Sequence, residues 1–239
     1  MKKWVTSKHT SIYRLHTLYS NCYLIEKRGR YILVDTGVRM ERILIERQLR
    51  KLGVHKMQAI LLTHTHTDHV ENAAYFQQKY ECSSYVEQTE FNYLVKGYCK
   101  MPGGTDSYTR KLQKIATQFQ IRTKFTPCVH VKAYRQNTDF TDFGQSIKIL
   151  SVPGHSEGSV AIILDEEIAI VGDTMMHTGK EIYPKFADRP ELLPKVWNVL
   201  LQQNCRIYLP GHGSEVTKKE LQKNIQNRTA EQYAEKYSK

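Results

Sequence analysis

Apolar residues along the chain gather into short runs that stop at polar or glycine-rich turns, and the period within the runs changes from one segment to the next. In the first third, "SIYRLHT", "SNCYLIEK" and "RYILVDT" are rich in β-branched and aromatic residues and separated by polar turns, which predicts strands. "GRYILVDTG" predicts a buried strand that ends at Asp35. The next segment, "MERILIERQLRKLG", sets Ile43, Ile45, Leu49 and Leu52 near helical spacing, with Gly53 as its C-terminal stop. "MQAILLT" predicts another buried strand and "HVENAAYFQQKY" a helix.

From about Gln88 to Thr126 the pattern turns helical around the glycine turn "MPGGTDS" and is dense in aromatics: Phe91, Tyr93, Tyr98, Tyr108, Phe119 and Phe125. Strands resume with "VHVKAYR", "SIKILSV", "SVAIIL" and "EIAIVGD". A helix "PELLPKVWNVLLQQ", a strand "CRIYLPG" and a final helix "TKKELQKNIQNRTAEQYAEKY" close the chain. Strand runs and helix runs in both halves predict an α+β protein with two sheets packed together and helices outside.

Composition narrows the class without naming a chemistry. The 239 residues suit one sizeable domain or two small ones packed closely, and 40% hydrophobic with 25% charged residues is ordinary for a soluble globular chain. No apolar stretch is long enough to span a bilayer, and the basic opening "MKKWVTSKHTSIYRL" has no apolar core behind it, so neither a membrane span nor a signal peptide is expected. The five cysteines form no CxxC pair, which predicts a reduced cytoplasmic protein in which most act as small apolar fillers. The net charge of +11 is concentrated in the first 120 residues, which hold 19 Lys/Arg against 10 Asp/Glu. That excess admits an anionic substrate. No Lys/Arg block exceeds three and no RNA-binding motif is visible, so a generally basic surface is favoured over nucleic-acid binding.

The chemistry is concentrated in "AILLTHTHTDHVENA", residues 59–73. In an extended segment side chains two apart point the same way, so His64 and His66 can grip one ion together. Asp68 and His69 lie just beyond, displaced enough to serve a second. Imidazole and carboxylate suit zinc and tolerate iron or manganese. Further ligands are expected at other strand ends: His155 in "SVPGHSEGS", Asp173 in "IAIVGDTMM" and His212 in "IYLPGHGSE". The isolated histidines His9, His16, His55 and His130 take the default role of hydrogen-bonded core residues, and His177 either lines the site or is an ordinary loop residue.

"THTHTDH", "PGHSEGS", "GDT" and "PGHG" in that order, with "NCYLI" and "VDTG" near the start, resemble the metal-binding signature of the metallo-β-lactamase superfamily from about residue 11 to residue 216. The resemblance implies a four-layer αββα sandwich over one domain, 1–239, with a helical insert at about 88–128 and the metal site at one edge of the sheets. Carried over residue by residue, it implies that His64, His66 and His155 bind a first metal, that Asp68, His69 and His212 bind a second, that Asp173 bridges them and that Asp35 orients the cluster. Two divalent ions, foremost Zn2+ with Fe or Mn as alternatives, then activate a hydroxide, and Asp68 handles the proton.

True β-lactamases of this superfamily carry other residues where Asp173 stands and are exported. Glyoxalase II-type thioesterases add a glutathione-binding helical domain, which the short stretch after His212 does not accommodate. Lactonases that open acyl-homoserine lactones share all seven ligands and a helical insert. The expected activity is therefore hydrolysis of a small ester, thioester or lactone, anionic substrates included, with the insert as substrate wall through Tyr93, Tyr98 and Tyr108, or else a homodimer contact. The alternatives are a phosphodiesterase or nuclease, and an oxygenase of the persulfide dioxygenase type with a single iron. A non-enzymatic metal-binding protein is the remaining class.

Overall fold

A computed structural model describes residues 1–118, 123–134, 146–179 and 181–237. Strands β1 (Lys2–Val5), β2 (Ser11–Arg14), β3 (Tyr23–Lys27) and β4 (Arg30–Val34) pair antiparallel in series. Helix α1 (Arg42–Lys51) then crosses over to β5 (Ala59–Leu61), which lies parallel to β4. Two short helices, α2 (Thr67–Val70) and α3 (Ala73–Tyr80), lead to β6 (Ser83–Glu87), parallel to β5. The insert follows as α4 (Phe91–Lys96), β7 (Tyr98–Cys99), α5 (Ser107–Gln118) and β8 (Thr123–Lys124), before β9 (Val131–Tyr134) completes the first sheet beside β6. The second sheet runs β10 (Ile147–Ser151), β11 (Val160–Leu164) and β12 (Ile168–His177). Helix α6 (Leu193–Gln202) then crosses to β13 (Ile207–Gly213) and β14 (Val216–Thr217), and α7 (Lys218–Tyr237) follows.

Period-2 alternation explains why these strands stack in four layers. Tyr23, Ile25, Ile32 and Val34 point inward and meet Val160, Ile162, Leu164, Ile168 and Leu209 of the second sheet. Their alternates, Leu24 and Leu33, pack outward with Ile45 and Leu49 of α1 and Phe76 of α3. On the far side Ala161, Ile163 and Val171 pack outward against Trp197 and Leu200 of α6 and Leu221 of α7. The order of layers is helices, sheet, sheet, helices, as expected. Trp197 pins its helix to the sheet by donating its indole N–H to the Thr174 carbonyl at 2.9 Å.

Several local expectations are corrected. The helix expected over "HVENAAYFQQKY" breaks at Glu71 and Asn72, because the buried Asn72 amide donates to the carbonyls of Thr36 and Val38 at 2.9 and 2.8 Å. Ile43 is 62% exposed rather than on the buried face of α1, which Ile45, Gln48 and Leu49 supply. The insert is helical only in part, since β7 and β8 pair antiparallel across it. His9, His16, His55 and His130 are exposed, so none is a core histidine. All five cysteines are free and buried, in keeping with a filler role. Phe119, counted among the insert's aromatics, lies outside the described residues.

Asp165 ties the two sheets together at the end remote from the histidines. Its buried carboxylate accepts hydrogen bonds from Thr6 Oγ1 at 2.6 Å and from Thr10, and Lys27 Nζ lies 3.4 Å away. Burial alone would raise its pKa, but the hydroxyl donors and Lys27 hold it below the ordinary aspartate value. A depressed folded-state pKa contributes stability that is complete above the ordinary aspartate range and is lost as the pH falls through the folded value. Asp165→Ala is therefore expected to cost about 2 kcal/mol by chemical denaturation at pH 7, with the deficit shrinking in acid. An unchanged denaturation midpoint would show that the tie carries no stability.

Candidate metal centre

Strand ends of both sheets deliver the histidine and aspartate side chains to one place. His64 follows β5 after the buried Leu62 and Thr63, and His66 is still extended, with φ −65° and ψ 147°, as the N-cap of α2. The two therefore project from one side, as the spacing predicts. Asp68 and His69 sit in the single turn of α2. His155 lies in the β10–β11 loop, and Asp173 and His212 lie in the parallel neighbours β12 and β13. The β12–β13 register shifts on both sides of Gly172, which interrupts the regular ladder beside Asp173. Gly211 fits this approach, because a Cβ there would stand 2.0 Å from Asp173 Oδ1 and 2.9 Å from His69 Cε1.

All seven side chains expected as ligands converge. His155 Nε2 lies 2.7 Å from His66 Nδ1 and 3.2 Å from His64 Nε2. His69 Nε2 lies 3.5 Å from Asp68 Oδ2, and His212 Nε2 lies 3.1 Å from the same oxygen. Asp173 stands between the two sets, its Oδ2 3.6 Å from His155 Nε2 and 3.3 Å from His212 Nε2, its Oδ1 3.4 Å from His69 Nε2. Ligand atoms of His64, His66 and His155, and those of Asp68, His69 and His212, lie within 4.8 Å of one another in each set.

The outer nitrogens fix which lone pairs point inward. His155 Nδ1–H donates to the Phe186 carbonyl at 2.8 Å, and His212 Nδ1–H to the Tyr19 carbonyl at 2.9 Å. His69 Nδ1–H donates to Asp35 Oδ2 at 2.9 Å. Thr63 Oγ1–H donates to the same Asp35 oxygen at 2.8 Å and in turn lies 3.0 Å from His64 Nδ1. Each of these bonds occupies an outer ring nitrogen and directs the other nitrogen of the ring at the centre. Asp35, itself buried and in the left-handed region at φ 55°, thus orients His69 directly and His64 through Thr63. The part played by Thr63 was not read from the sequence, although its place between strand and cluster is the signal for it.

Two atoms in this buried knot have no hydrogen-bond partner, His69 Nε2 and Asp173 Oδ1. A buried polar atom without a partner is costly, and a divalent cation facing a neutral His69 and an ionised Asp173 satisfies both. Electrostatics lead the same way. Burial first, and then His155, hold His66 down to about 3, and burial with its histidine neighbours keeps His64 well below the ordinary value. Burial would also lower His212, yet Asp173 and Asp68 raise it to about 10, and His69 is raised against burial by Asp68 and Asp173. Asp68 falls to about 2 despite burial because His69 and His212 stabilise its charge, and Asp173 is held well below the carboxylate range by His212 and His69. Two ionised carboxylates here require compensating positive charge, which protons on His69 and His212 or bound cations can supply. The nitrogen and oxygen donor set fits zinc, iron or manganese.

A cleft of about 350 Å³ opens onto the centre. His66, Asp68, His155, Asp173 and His212 form its floor, and Val38, Met101, Pro102, Met176 and Phe186 form apolar walls. The insert does wall this cleft, through Cys99–Pro102 and Thr123 rather than through the expected tyrosines. Tyr108 is 70% exposed on α5, and Tyr93 and Tyr98 pack edge to face with ring centres 5.6 Å apart, off the cleft lining. Tyr93 borders a smaller polar recess beside Glu90 and Lys100. His177 is also off the lining, with its Nδ1 3.1 Å from the Glu215 carbonyl. Sequence reasoning missed Glu90, a buried carboxylate whose oxygens are bonded by Thr65 and Ser156.

Comparison with known proteins agrees with this geometry. A profile of the metallo-beta-lactamase superfamily matches residues 17–217. A Methanocaldococcus jannaschii protein described as a "probable metallo-hydrolase" is 24% identical over 204 residues, 81% of this chain and 87% of that protein. A Bacillus velezensis "probable polyketide biosynthesis zinc-dependent hydrolase" is 27% identical over 165 residues, 69% of this chain and 59% of that protein. The crystal structure of a metallo-beta-lactamase family protein from Thermus thermophilus superposes with a TM-score of 0.70 at 20% identity, covering 93% of this chain and 79% of the other.

Proposed function

The chain belongs to the metallo-β-lactamase superfamily, and from that premise we propose that it hydrolyses a small ester, thioester or lactone with two divalent ions, foremost zinc. His64, His66 and His155 would hold one ion, Asp68, His69 and His212 the other, and Asp173 would bridge. When bound, such ions acidify water and polarise a carbonyl oxygen, which supplies both nucleophile and electrophile near neutral pH. The chain's own contribution is orientation and proton handling. Asp35, Thr63, and the Phe186 and Tyr19 carbonyls hold the imidazoles in the tautomers that face inward. Asp68, whose side chain is 34% exposed on the cleft floor and held ionised by His69 and His212, is placed where a proton can reach it. No serine or cysteine nucleophile is required.

The observation that carries the substrate class is the cleft lining. Its walls are apolar, and Lys100 is the one Lys or Arg among the described lining residues. A phosphodiester backbone is bound through several cations, whereas an acyl chain gains from apolar contact. The zinc-dependent hydrolase among the relatives and the unpaired oxygen of Asp173 support zinc and a bridging carboxylate. The five free cysteines support a cytoplasmic setting. No helix among the described residues is long and apolar enough to cross a membrane.

The test is metal analysis of protein purified without added metal, followed by a panel of ester, thioester, lactone and phosphodiester reporters. Two ions per chain are expected, with turnover of carboxyl substrates and a KM that falls as the acyl chain lengthens. Met101→Ala is expected to raise KM for the longer substrates roughly tenfold while metal content stays constant. One iron per chain with oxygen consumption, or cleavage confined to the phosphodiester, would sink the proposal.

A further inference from the structure

The loops that carry the first histidine set each present a hydroxyl one residue away from a histidine. Thr65 stands between His64 and His66, and Ser156 follows His155. Both hydroxyls bond one buried carboxylate. Thr65 Oγ1–H donates to Glu90 Oε2 at 2.7 Å, Ser156 Oγ–H donates to Glu90 Oε1, and the Gly158 N–H reaches that second oxygen at 3.3 Å. Ser159 Oγ accepts from the Ser156 N–H at 3.0 Å and so braces the same turn.

Glu90 is 3% exposed and takes part in no salt bridge among the described residues. Burying a carboxylate in this way is costly unless donors surround it, and here the donors come from the two histidine-bearing loops. The packing leaves little slack, since a Cβ on Gly158 would stand 2.6 Å from Glu90 Cγ. Glu90 also opens the insert: α4 begins at the next residue, and the chain then runs on to Cys99–Pro102 in the cleft wall. One side chain therefore touches the loop of His64 and His66, the loop of His155, and the root of the segment that walls the cleft.

We propose that Glu90 is a positioning residue, which sets the separation of His155 from His64 and His66 and fixes the cleft wall in register with them. The assignment rests on the reading of these histidines as the first metal set. A carboxylate accepts from Thr65 on one oxygen and from Ser156 and Gly158 on the other. A glutamine of the same shape keeps one oxygen and turns an N–H2 donor toward the remaining partners. Glu90→Gln should therefore loosen one loop while it preserves the packing.

The experiment uses the full chain loaded with Zn2+ and titrated with a chromophoric chelator, with zinc-free thermal melts in parallel. In Glu90→Gln the dissociation constant of one ion is expected to rise about tenfold or more. The other ion's should stay within about twofold, and the zinc-free melting temperature within about 3 °C, well below the shift expected of a large core defect. Ser156→Ala is expected to weaken the same ion by a smaller factor. With Co2+ in place of zinc, the visible absorption band of that ion alone should shift. Two unchanged dissociation constants in Glu90→Gln would overturn the proposal. So would a joint weakening of both ions with a lowered zinc-free melting temperature, because that is the signature of an ordinary core residue. If Glu90→Gln does not fold, Ser156→Ala and Thr65→Val decide, and unchanged zinc affinity in both overturns the assignment. A wild-type protein that retains no zinc overturns the metal reading itself and is recognised before any variant is compared.

Discussion

Asp173→Ala is expected to lose more metal than the removal of one ligand accounts for. Asp173 is buried, its Oδ2 faces both His155 and His212, and its Oδ1 faces His69 with no hydrogen-bond partner of its own. Its removal deletes the contact shared by the two sets and half of the carboxylate charge among the seven side chains. Metal content should fall from two ions per chain to one or fewer, and kcat/KM by about a thousandfold, equivalent to about 4 kcal/mol. Asp173→Asn separates the causes, since it keeps the shape and one oxygen while losing the charge. It should retain the more tightly held ion. Elemental analysis and circular dichroism on the three proteins check this, and an Asp173→Ala protein that still carries two ions would remove the bridging role.

The second large effect is expected at Asp68. It is the more exposed carboxylate of the centre, 34% against 6% for Asp173, and His69 and His212 hold it ionised. An ionised carboxylate that borders the cleft can both hold an ion and take up a proton, and its position beside His69 and His212 serves either role. Asp68→Asn preserves size and one oxygen. It should lower kcat by about 10²–10⁴, the range assigned to a general base, while KM and the ion held by His64, His66 and His155 change little. Steady-state kinetics on zinc-loaded protein decide the matter. A kcat within a few-fold of wild type would leave Asp68 as a ligand and nothing more.

Much of this architecture was legible in the sequence where one periodicity dominated. "RYILVDT" and "SVAIIL" read as buried strands and are so, because residues on both faces of each find apolar partners. The pairing of His64 with His66 followed from two-residue alternation, and His155, Asp173 and His212, expected at strand ends, come to the same place. The signal failed where a side chain's fate depends on distant chain. In β6, "SSYVE" carries a polar residue at one of its two buried positions and gives no strand signal, although Ser84 is fully enclosed between its neighbours. The break at Asn72 depends on carbonyls some 34 to 36 residues earlier. The aromatics of the insert pointed to Tyr93, Tyr98 and Tyr108 as a substrate wall or a homodimer contact, but no local pattern says which residues of the insert face the cleft. Met101 and Pro102 do, and Tyr108 does not. Glu90 gave no local signal, since its partners are Thr65, Ser156 and Gly158 from other parts of the chain.

The seven clustered His and Asp side chains come from α2, the ends and loops of both sheets, and the stretch after β5, whereas part of the cleft wall comes from the insert between β6 and β9. Those are different stretches of the gene. Drift in Cys99–Pro102 and its surroundings can therefore reshape the cleft wall without touching the seven clustered side chains. Such drift has a fixed boundary at the near end of the insert, because Glu90 is bonded to both histidine-bearing loops. Novelty is cheap along the wall and expensive at its root.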